Sequence, residues 1–242
     1  MRRFFIDRQA IAGSRAFLAG TDAHHLLKVL RLKTGDEVEL FDGSGLVYQA
    51  RIEGGDLHRV DLVVLAASDT PPDRLAIHLG QAMLKGKKMD LVVQKCTELG
   101  VRAIHPLLST HTKNPAPGPE KLARWQRIIQ ESCKQCNQPW PPTCHPARSF
   151  AEVLAAGEGC DLRLICWEQP EAPPLRSVVN SLAIPRSIMV LIGPEGGFST
   201  EEIAQARAAG FLAVGLGRRI LRAETAAIAV IALLQYIFND LG

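Results

Sequence analysis

From residue 74 onward, short apolar segments alternate with helical ones, and this alternation constrains the fold more than any other feature of the sequence. Continuous apolar character predicts buried strands at residues 75–80, 101–108, 162–167, 188–192 and 211–216. Helical spacing predicts helices at residues 88–99, 120–135, 151–156 and 224–238, and another that begins at Ser199 and is ended by Gly210. Alternating strands and helices predict an α/β domain, a parallel sheet with helices on both faces.

The N-terminal residues have a different pattern, which predicts a small β-rich domain over residues 1–68. Short segments with β-branched or aromatic residues lie at 3–6, 36–41, 47–52 and 59–65, and glycine-containing turns separate them. One helical segment, residues 22–31, interrupts the strands. Two prolines make residues 69–73 the predicted linker, and residues 74–242 form the second predicted domain.

Composition indicates a soluble globular protein with a sizeable core, because 47% of its residues are hydrophobic and 22% are charged. The formal net charge of +3 permits an anionic partner without requiring one. Charge at Asp7 and Arg8 interrupts any N-terminal apolar region, and the longest apolar run, 226–234, is too short to cross a bilayer. We therefore expect a cytoplasmic location and no membrane partner.

Six cysteines in such a chain are expected to be reduced thiols. Cys133 and Cys136 have a spacing that suits zinc, but the other half of the set would be the adjacent pair Cys144 and His145. Structural zinc sites usually separate their second pair by several residues. The sequence therefore favours simple thiols and predicts no metal site.

The segment 193–198 follows a predicted strand and contains three glycines and one proline. Glycine allows the backbone to turn tightly and to approach a ligand closely. The segment matches neither the dinucleotide-binding nor the triphosphate-binding glycine motif. A ligand-binding loop and a simple strand-to-helix turn both remain open on this pattern.

A second segment, 216–226, joins a predicted buried strand to a predicted buried helix, yet it contains three arginines and a glutamate. Charge so close to two core elements indicates either a solvated rim or a site for a polar or anionic ligand. Ligands of open parallel sheets bind beyond the carboxyl ends of the strands, where both this segment and 193–198 are expected.

Basic residues cluster near the N-terminus and at the start of the first helix of the second domain. The candidate RNA-binding residues among them are Arg3, Lys28, Arg31, Lys85 and Lys88. Such clusters suit phosphate contacts, although a run of charge is more often a solvated face. No hydrolase nucleophile motif accompanies them.

Two C-terminal motifs carry a resemblance to a known family. Residues 192–199, IGPEGGFS, and residues 216–226, LGRRILRAETA, resemble the 16S ribosomal RNA uracil-N3 methyltransferases, which belong to the SPOUT class. The segments 24–36, 88–100 and 131–136 are also similar to this family, so that the resemblance covers nearly the whole chain.

The resemblance implies a SPOUT-like C-terminal domain with a trefoil knot, and a PUA-like RNA-binding β-barrel at the N-terminus. It implies S-adenosylmethionine as cofactor, 16S ribosomal RNA or the small ribosomal subunit as partner, and a homodimer. The cofactor would be held at Ile192, Gly193, Gly197, Leu216, Gly217, Leu221, Ala223 and Thr225. Two stretches depart from the family pattern, 111–113 and 137–139, and both concern expected RNA contacts.

The implied reaction is methyl transfer to N3 of a uridine, which requires removal of the N3 proton. Arg222 is the expected partner of the uracil anion, because a guanidinium keeps its charge and binds oxygens in a fork. Glu195 or Glu224 is expected to take the proton, or to orient the loop. Two alternatives are a methyltransferase of another RNA or atom, and a non-catalytic RNA-binding or assembly protein.

Overall fold

The structure is a computed structural model that describes residues 2–113, 116–180 and 183–238. The chain forms two compact units. The first comprises Met1–Pro72 and Cys133–Pro141, and the second comprises Asp73–Ser132 and Pro142–Gly242.

The N-terminal unit contains a six-stranded sheet. Its strands are β1 (Arg2–Phe5), β2 (Ile11–Ala12), β3 (Arg15–Ala19), β4 (Glu37–Phe41), β5 (Leu46–Gly55) and β6 (Arg59–Asp69). They are ordered β1-β4-β5-β6-β3-β2, with β1 parallel to β4 and every other pairing antiparallel. This β-rich N-terminal unit confirms the fold predicted for it.

Strand β3 is missing from the sequence-based prediction. Ala16 and Leu18 point into the core while Arg15 and Ala19 are exposed, so the strand does alternate. Only one of its buried side chains is large, Phe17 is its single aromatic residue and none of its residues is β-branched, so the segment has little of the content that marks a strand in a sequence.

The helix predicted over residues 22–31 is shorter and less regular than expected. A single α-helical turn, α1 (Thr21–His24), continues as a π-helix over His25–Val29. Arg31 has φ +56°, a left-handed conformation that ends the helix before the predicted residue. π-Helical turns and left-handed non-glycine residues are both enriched at functional sites.

The second unit contains a seven-stranded parallel sheet, which confirms the predicted α/β class. Its strands are β7 (Ala76–Ala82), β8 (Ala103–Leu108), β9 (Thr143–Cys144), β10 (Arg148–Ser149), β11 (Leu162–Cys166), β12 (Ser187–Ile192) and β13 (Leu212–Val214). Six are ordered β10-β8-β7-β12-β11-β13, and β9 also pairs with β8. The parallel arrangement places all carboxyl ends at one edge.

Helices flank this sheet. They are α2 (Lys88–Glu98), α3 (Pro119–Cys136), α4 (Phe150–Ala156), α5 (Leu175–Val179), α6 (Thr200–Ala208) and α7 (Ala223–Phe238). Helix α7 packs against α2, β7 and β12, whereas α4 and α6 share a core with Leu191 of β12. Ser199 and Glu202 form a capping box, which fixes where α6 begins.

The apolar sequence of helix α7 predicts burial on almost all sides, in part against another subunit, and the single chain buries one of its faces. Ala227, Val230 and Leu234 are fully buried, but Leu233 is 42% exposed and Tyr236 is 70% exposed. The apolar sequence of α7 therefore provides one buried face and one apolar face that the chain itself leaves uncovered.

Candidate functional site

The loop after β12 is held in a tight turn by its own backbone. The amide of Gly197 donates to the carbonyl of Pro194 at 3.0 Å, and Gly197 has φ +72°. A Cβ on Gly193 would lie 3.2 Å from both the Gly197 carbonyl carbon and the Phe198 amide nitrogen. Glycine is therefore required by the turn itself, as the glycine-rich segment predicts.

The loop between β13 and α7 is open. Gly217 has φ +111°, and no described atom lies within 4 Å of where its Cβ would be. The backbone amides of residues 216–221 donate no hydrogen bond to any described residue. Unpaired amides in an accessible loop fit a cofactor that is held by main-chain groups.

The side chains of this loop and of the start of α7 differ in their exposure to solvent. Leu216 and Leu221 are half-buried and Ala223 is buried, whereas Thr225 is exposed; Ile192, at the end of β12, is also buried. Arg222 is exposed, and no ion pair joins it to another described residue. The arginine predicted to stabilise the uracil anion is thus at the carboxyl edge and available to a ligand.

The loop after β11 contacts both of the others, because β11 lies between β12 and β13 in the sheet. The amide of Gly215 donates to the carbonyl of Pro173 at 2.8 Å. On the other side, the carboxylate of Glu168 occupies the space that a Cβ on Gly197 would need. Sequence reasoning missed Glu168, although its place directly after a predicted buried strand was a usable signal.

Lys88, the first residue of α2, connects the two predicted catalytic carboxylates. Its Nζ lies 3.1 Å from Oε1 of Glu195 and 3.8 Å from Oε2 of Glu224. The Lys85 amide also donates to Glu195 Oε1, at 3.3 Å. The structure therefore brings the glycine-containing loop and the N-terminus of α7 together around one ammonium group.

The two carboxylates have different surroundings. Burial would raise the pKa of Glu195, but hydrogen bonds from its own amide, from Lys88 and from the Lys85 amide outweigh it and lower that pKa. The side chain of Glu195 is 35% exposed. Glu224 is 9% exposed, and its Oε2 has no hydrogen-bond donor among the described residues.

The loop after β8 supports the glycine-containing loop from the other side. Nδ1 of His111 lies 3.1 Å from the carbonyl oxygens of both Gly196 and Gly197. Carbonyl oxygens only accept hydrogen bonds, so Nδ1 must carry the ring proton. The Thr110 amide donates to Glu202 Oε1 at 2.8 Å, which attaches the same loop to α6.

A cleft of about 400 Å³ opens between the loops after β7, β8 and β12, which are neighbouring strands. Its lining residues are Lys85, Lys88, His111, Lys113, Glu195 and Gly196. Four of the six are basic side chains, and one wall is the glycine-containing loop. The cleft therefore suits an anionic ligand next to the candidate cofactor loops.

The basic residues predicted in the N-terminal unit have different environments. Lys28 and Arg31 are exposed on and just after the π-helix. The side chain of Arg3 is only 8% exposed; it pairs with Glu39 and lies over the ring of Phe41, 5.1 Å from its centroid. Arg3 would have to leave these partners to contact RNA.

The unusual stretch 137–139 ends helix α3. Asn137 has φ +60°, and the Gln138 amide donates to the Cys133 carbonyl at 3.2 Å, as in a Schellman motif. Trp140 follows, and its Nε1 donates to the Thr70 carbonyl at 2.9 Å. These residues therefore terminate a helix and anchor a tryptophan in the N-terminal unit.

The described residues contain neither a cluster of metal ligands nor a membrane-spanning helix. Among residues 2–113, 116–180 and 183–238, no group of three His, Cys, Asp or Glu side chains is arranged to hold a metal ion. No helix in the described part of the chain is both long and apolar enough to span a bilayer.

Comparison with known families agrees with this arrangement. Residues 71–235 match a family model described as an RNA methyltransferase domain, and residues 18–65 match an RNA methyltransferase PUA domain. The fold and the loops at the carboxyl edge thus define a member of the RNA methyltransferases.

Relatives and solved structures narrow the class. Ribosomal RNA small subunit methyltransferase E of Synechocystis sp. is 35% identical over 98% of this chain and 78% of its own. The Bacillus subtilis protein of the same name is 26% identical over 98% of this chain and 96% of its own. The chain belongs to the ribosomal RNA small subunit methyltransferase E family.

Two solved structures with bound S-adenosylmethionine share the fold. The Neisseria gonorrhoeae ribosomal RNA small subunit methyltransferase E is 33% identical with a TM-score of 0.88, and each chain covers 100% of the other. A Legionella pneumophila methyltransferase is 31% identical with a TM-score of 0.87, over 98% of this chain and 97% of its own.

Proposed function

We propose that this protein transfers the methyl group of S-adenosylmethionine to N3 of a uridine in 16S ribosomal RNA of the small ribosomal subunit. The observation that carries the proposal is the carboxyl edge of the parallel sheet. There the tight loop after β12, the open amides of residues 216–221 and a basic cleft lie together. The relatives' names and the cofactor in two related structures support the substrate class and the methyl donor.

The proposed cofactor contacts are made mainly by the backbone. Gly193 and Gly197 would supply the tight turn, which directly follows Ile192 at the end of β12. The open loop between β13 and α7 would contribute Leu216, Gly217 and Leu221. Ala223 and Thr225 would close the site at the start of α7. The sulfonium supplies an activated methyl group, so that the main task of the protein is positioning.

The acceptor nitrogen must lose its proton. Arg222, exposed at the same edge, would stabilise the negative charge that spreads to the uracil oxygens. Between the two glutamates, Glu224 is proposed as the proton acceptor, because its Oε2 accepts no hydrogen bond from any described residue. Glu195 accepts hydrogen bonds from its own amide, from Lys88 and from the Lys85 amide, and its lowered pKa makes it a weaker base, so it would orient Lys88 and the loop.

RNA would also be contacted away from the reacting base. Lys28 and Arg31 are exposed cations next to an exposed aliphatic residue, Val29, in the N-terminal unit. Lys85 and Lys88 would contact RNA at the carboxyl edge, and Arg3 would do so in the N-terminal unit after leaving Glu39. Phosphate contacts of this kind fix the position of RNA without reading its sequence.

Nucleoside mass spectrometry tests this function. Ribosomal RNA from cells lacking the gene should contain no N3-methyluridine in its small-subunit fraction, and the purified protein with S-adenosylmethionine should restore it. Methylation at another atom or in another RNA would contradict the specific proposal. Calorimetry that detects no binding of S-adenosylmethionine would instead favour a non-catalytic RNA-binding or assembly protein.

The chain is also proposed to act as a cytoplasmic homodimer, with the trefoil knot that the family resemblance predicts. The support for a dimer is the uncovered apolar face of α7, where Leu233 and Tyr236 are exposed one turn apart. Sedimentation equilibrium should give twice the mass of the chain, and Tyr236→Glu should shift it towards the monomer. A wild-type monomer at micromolar concentration would contradict the dimer.

A further inference from the structure

The cleft beside Glu195 contains three lysines that are not equivalent. Lys88 is engaged, because its ammonium group lies between the carboxylates of Glu195 and Glu224. Lys85 uses its backbone amide to hold Glu195, and its side chain is exposed. Lys113, on the loop after β8, is exposed as well.

The ammonium groups of Lys85 and Lys113 form no ion pair with any residue in the described ranges 2–113, 116–180 and 183–238. They come from the loops after β7 and β8, adjacent strands, and both line the same cleft. The cleft therefore carries two uncompensated positive charges, while the positive charge of Lys88 is already balanced.

We propose that this cleft is the binding site for the target nucleotide of the RNA, with Lys85 and Lys113 contacting its flanking phosphates and Lys88 acting as a positioning residue. The inference rests on the proposed function. It changes the role expected for Lys88, assigns a phosphate contact to Lys113, and adds to the loop-supporting His111 the role of a wall of the nucleotide site.

The size of the cleft agrees with this ligand. About 400 Å³ falls within the roughly 300–1,000 Å³ of small-ligand sites and is large enough for one nucleotide. Its wall is formed by Gly196 and by the ring of His111, which is fixed by bonds from Nδ1 to two carbonyls. A base held there would lie beside the glycine-containing loop, where the methyl donor is proposed to bind.

The salt dependence of RNA binding distinguishes a lysine that contacts a phosphate from a lysine that is only solvated. A lysine that neutralises a phosphate of single-stranded RNA releases condensed counterions, and each such contact contributes about 0.7 to the slope of log K against log salt concentration. A solvated lysine contributes little to that slope, and a lysine that is already paired with carboxylates contributes little as well.

The experiment measures binding of a fluorescently labelled single-stranded oligouridylate by anisotropy over a series of KCl concentrations. Lys85→Ala and Lys113→Ala should each lower the slope by about 0.7 and weaken binding roughly three- to tenfold at low salt. Lys88→Met should leave the slope unchanged but reduce methyl transfer. Lys87→Ala is the matched control, because Lys87 is exposed next to these residues and does not line the cleft.

An unchanged slope in both Lys85→Ala and Lys113→Ala would overturn the site, as would a wild-type protein that binds the oligouridylate without salt dependence. A loss of slope in Lys88→Met equal to theirs would overturn the division of roles. Methyl transfer to 16S ribosomal RNA by the wild type is measured in parallel. Absence of methyl transfer by the wild type would reject the proposed function. The salt-dependence slopes of RNA binding test the nucleotide site in the cleft independently of that result.

Discussion

Two regions of the parallel sheet each contain several titratable side chains. One region stabilises a charged side chain, and the other disfavours charge. At the carboxyl edge, Lys88 and backbone amides hold Glu195 in its ionised form. On β7, on β8 and directly after β9, three histidines pack on one another: His78, His105 and His145. Charge is retained where a polar ligand is expected and is suppressed where strands pack.

The histidine group shows how strongly the interior disfavours charge. The rings of His105 and His145 are stacked at 4.3 Å, and the ring of His78 lies 5.8 Å from that of His105. Burial, followed by the neighbouring His145, His78 and Arg148, lowers the pKa of His105 to about 3. Neither of its ring nitrogens has a hydrogen-bond partner among the described residues.

The largest effect is expected from removing the exposed charge at the carboxyl edge. Arg222→Ala should reduce methyl transfer roughly 100- to 1,000-fold, because one preorganised donor to the developing anion is lost. Affinity for S-adenosylmethionine, measured by calorimetry, should be unchanged, since the proposed cofactor contacts are made by other residues.

Arg186→Ala is the control for Arg222. Arg186 is exposed just before β12, at the opposite edge of the same sheet, and should retain wild-type transfer. Equal transfer by Arg222→Ala and the wild type would show that this arginine belongs to a solvated rim.

Substitution of the two glutamates around Lys88 should reduce methyl transfer less than Arg222→Ala does, and to different extents. Glu224→Gln should lower the transfer rate roughly 100-fold, as expected for loss of a general base. Glu195→Gln should lower it less, roughly tenfold, because it disturbs only the placement of Lys88 and the loop. Single-turnover rates on ribosomal RNA would measure both, and the reverse order of effects would assign the proton to Glu195.

The two regions differ in how far the sequence predicted them. Hydrophobic periodicity predicts β7, β8, β11, β12 and their helices, because each local segment determines its own periodicity. It cannot predict that Lys88 meets Glu195, 107 positions further along the chain, because that contact depends on the strand order. The same order brings Lys113 and His111 into the site, whereas the sequence marks their stretch, 111–113, only as a departure from the family pattern.

The N-terminal unit shows the same limit at shorter range. Strand β3 was missed because it has no β-branched residue and one of its two core side chains is an alanine. The π-helix at His25–Val29 has the same spacing of leucines as an α-helix. The role of residues 137–139 required three-dimensional contacts, since Asn137 adopts φ +60° to end α3 and Trp140 then reaches Thr70.

Acid should affect the histidine group before it affects the carboxylates. An unfolded chain binds a proton at His105 near its ordinary pKa of 6.5, whereas the folded chain does so only near pH 3. Between pH 3 and pH 6.5 the unfolded state therefore binds more protons than the folded state. The contribution of His105 to the free energy of unfolding is fully present above pH 6.5 and falls as the pH decreases. By pH 5 this histidine alone should cost about 2 kcal/mol of unfolding free energy.

Urea unfolding at pH 7 and pH 5 measures this loss. His105→Phe keeps a ring in the stack but has no proton to bind, so it should lose about 2 kcal/mol less than the wild type between these pH values. The lowered pKa of Glu195 acts in the same direction only below its ordinary value of 4.5. An identical pH dependence of the two proteins would show that His105 is protonated without cost.

The smallest effect is expected in the glycine-containing loop, where the substitution changes backbone conformation and steric space but no charge. Gly197→Ala places a methyl group at φ +72° and against the carboxylate of Glu168. It should reduce the unfolding free energy by about 1–2 kcal/mol, through backbone strain and the displaced carboxylate. Glu168→Ala in the same chain should restore only the part due to the collision, as measured by urea unfolding. Full restoration would mean that the left-handed backbone is free of strain, and no restoration would mean that Glu168 moves aside without cost.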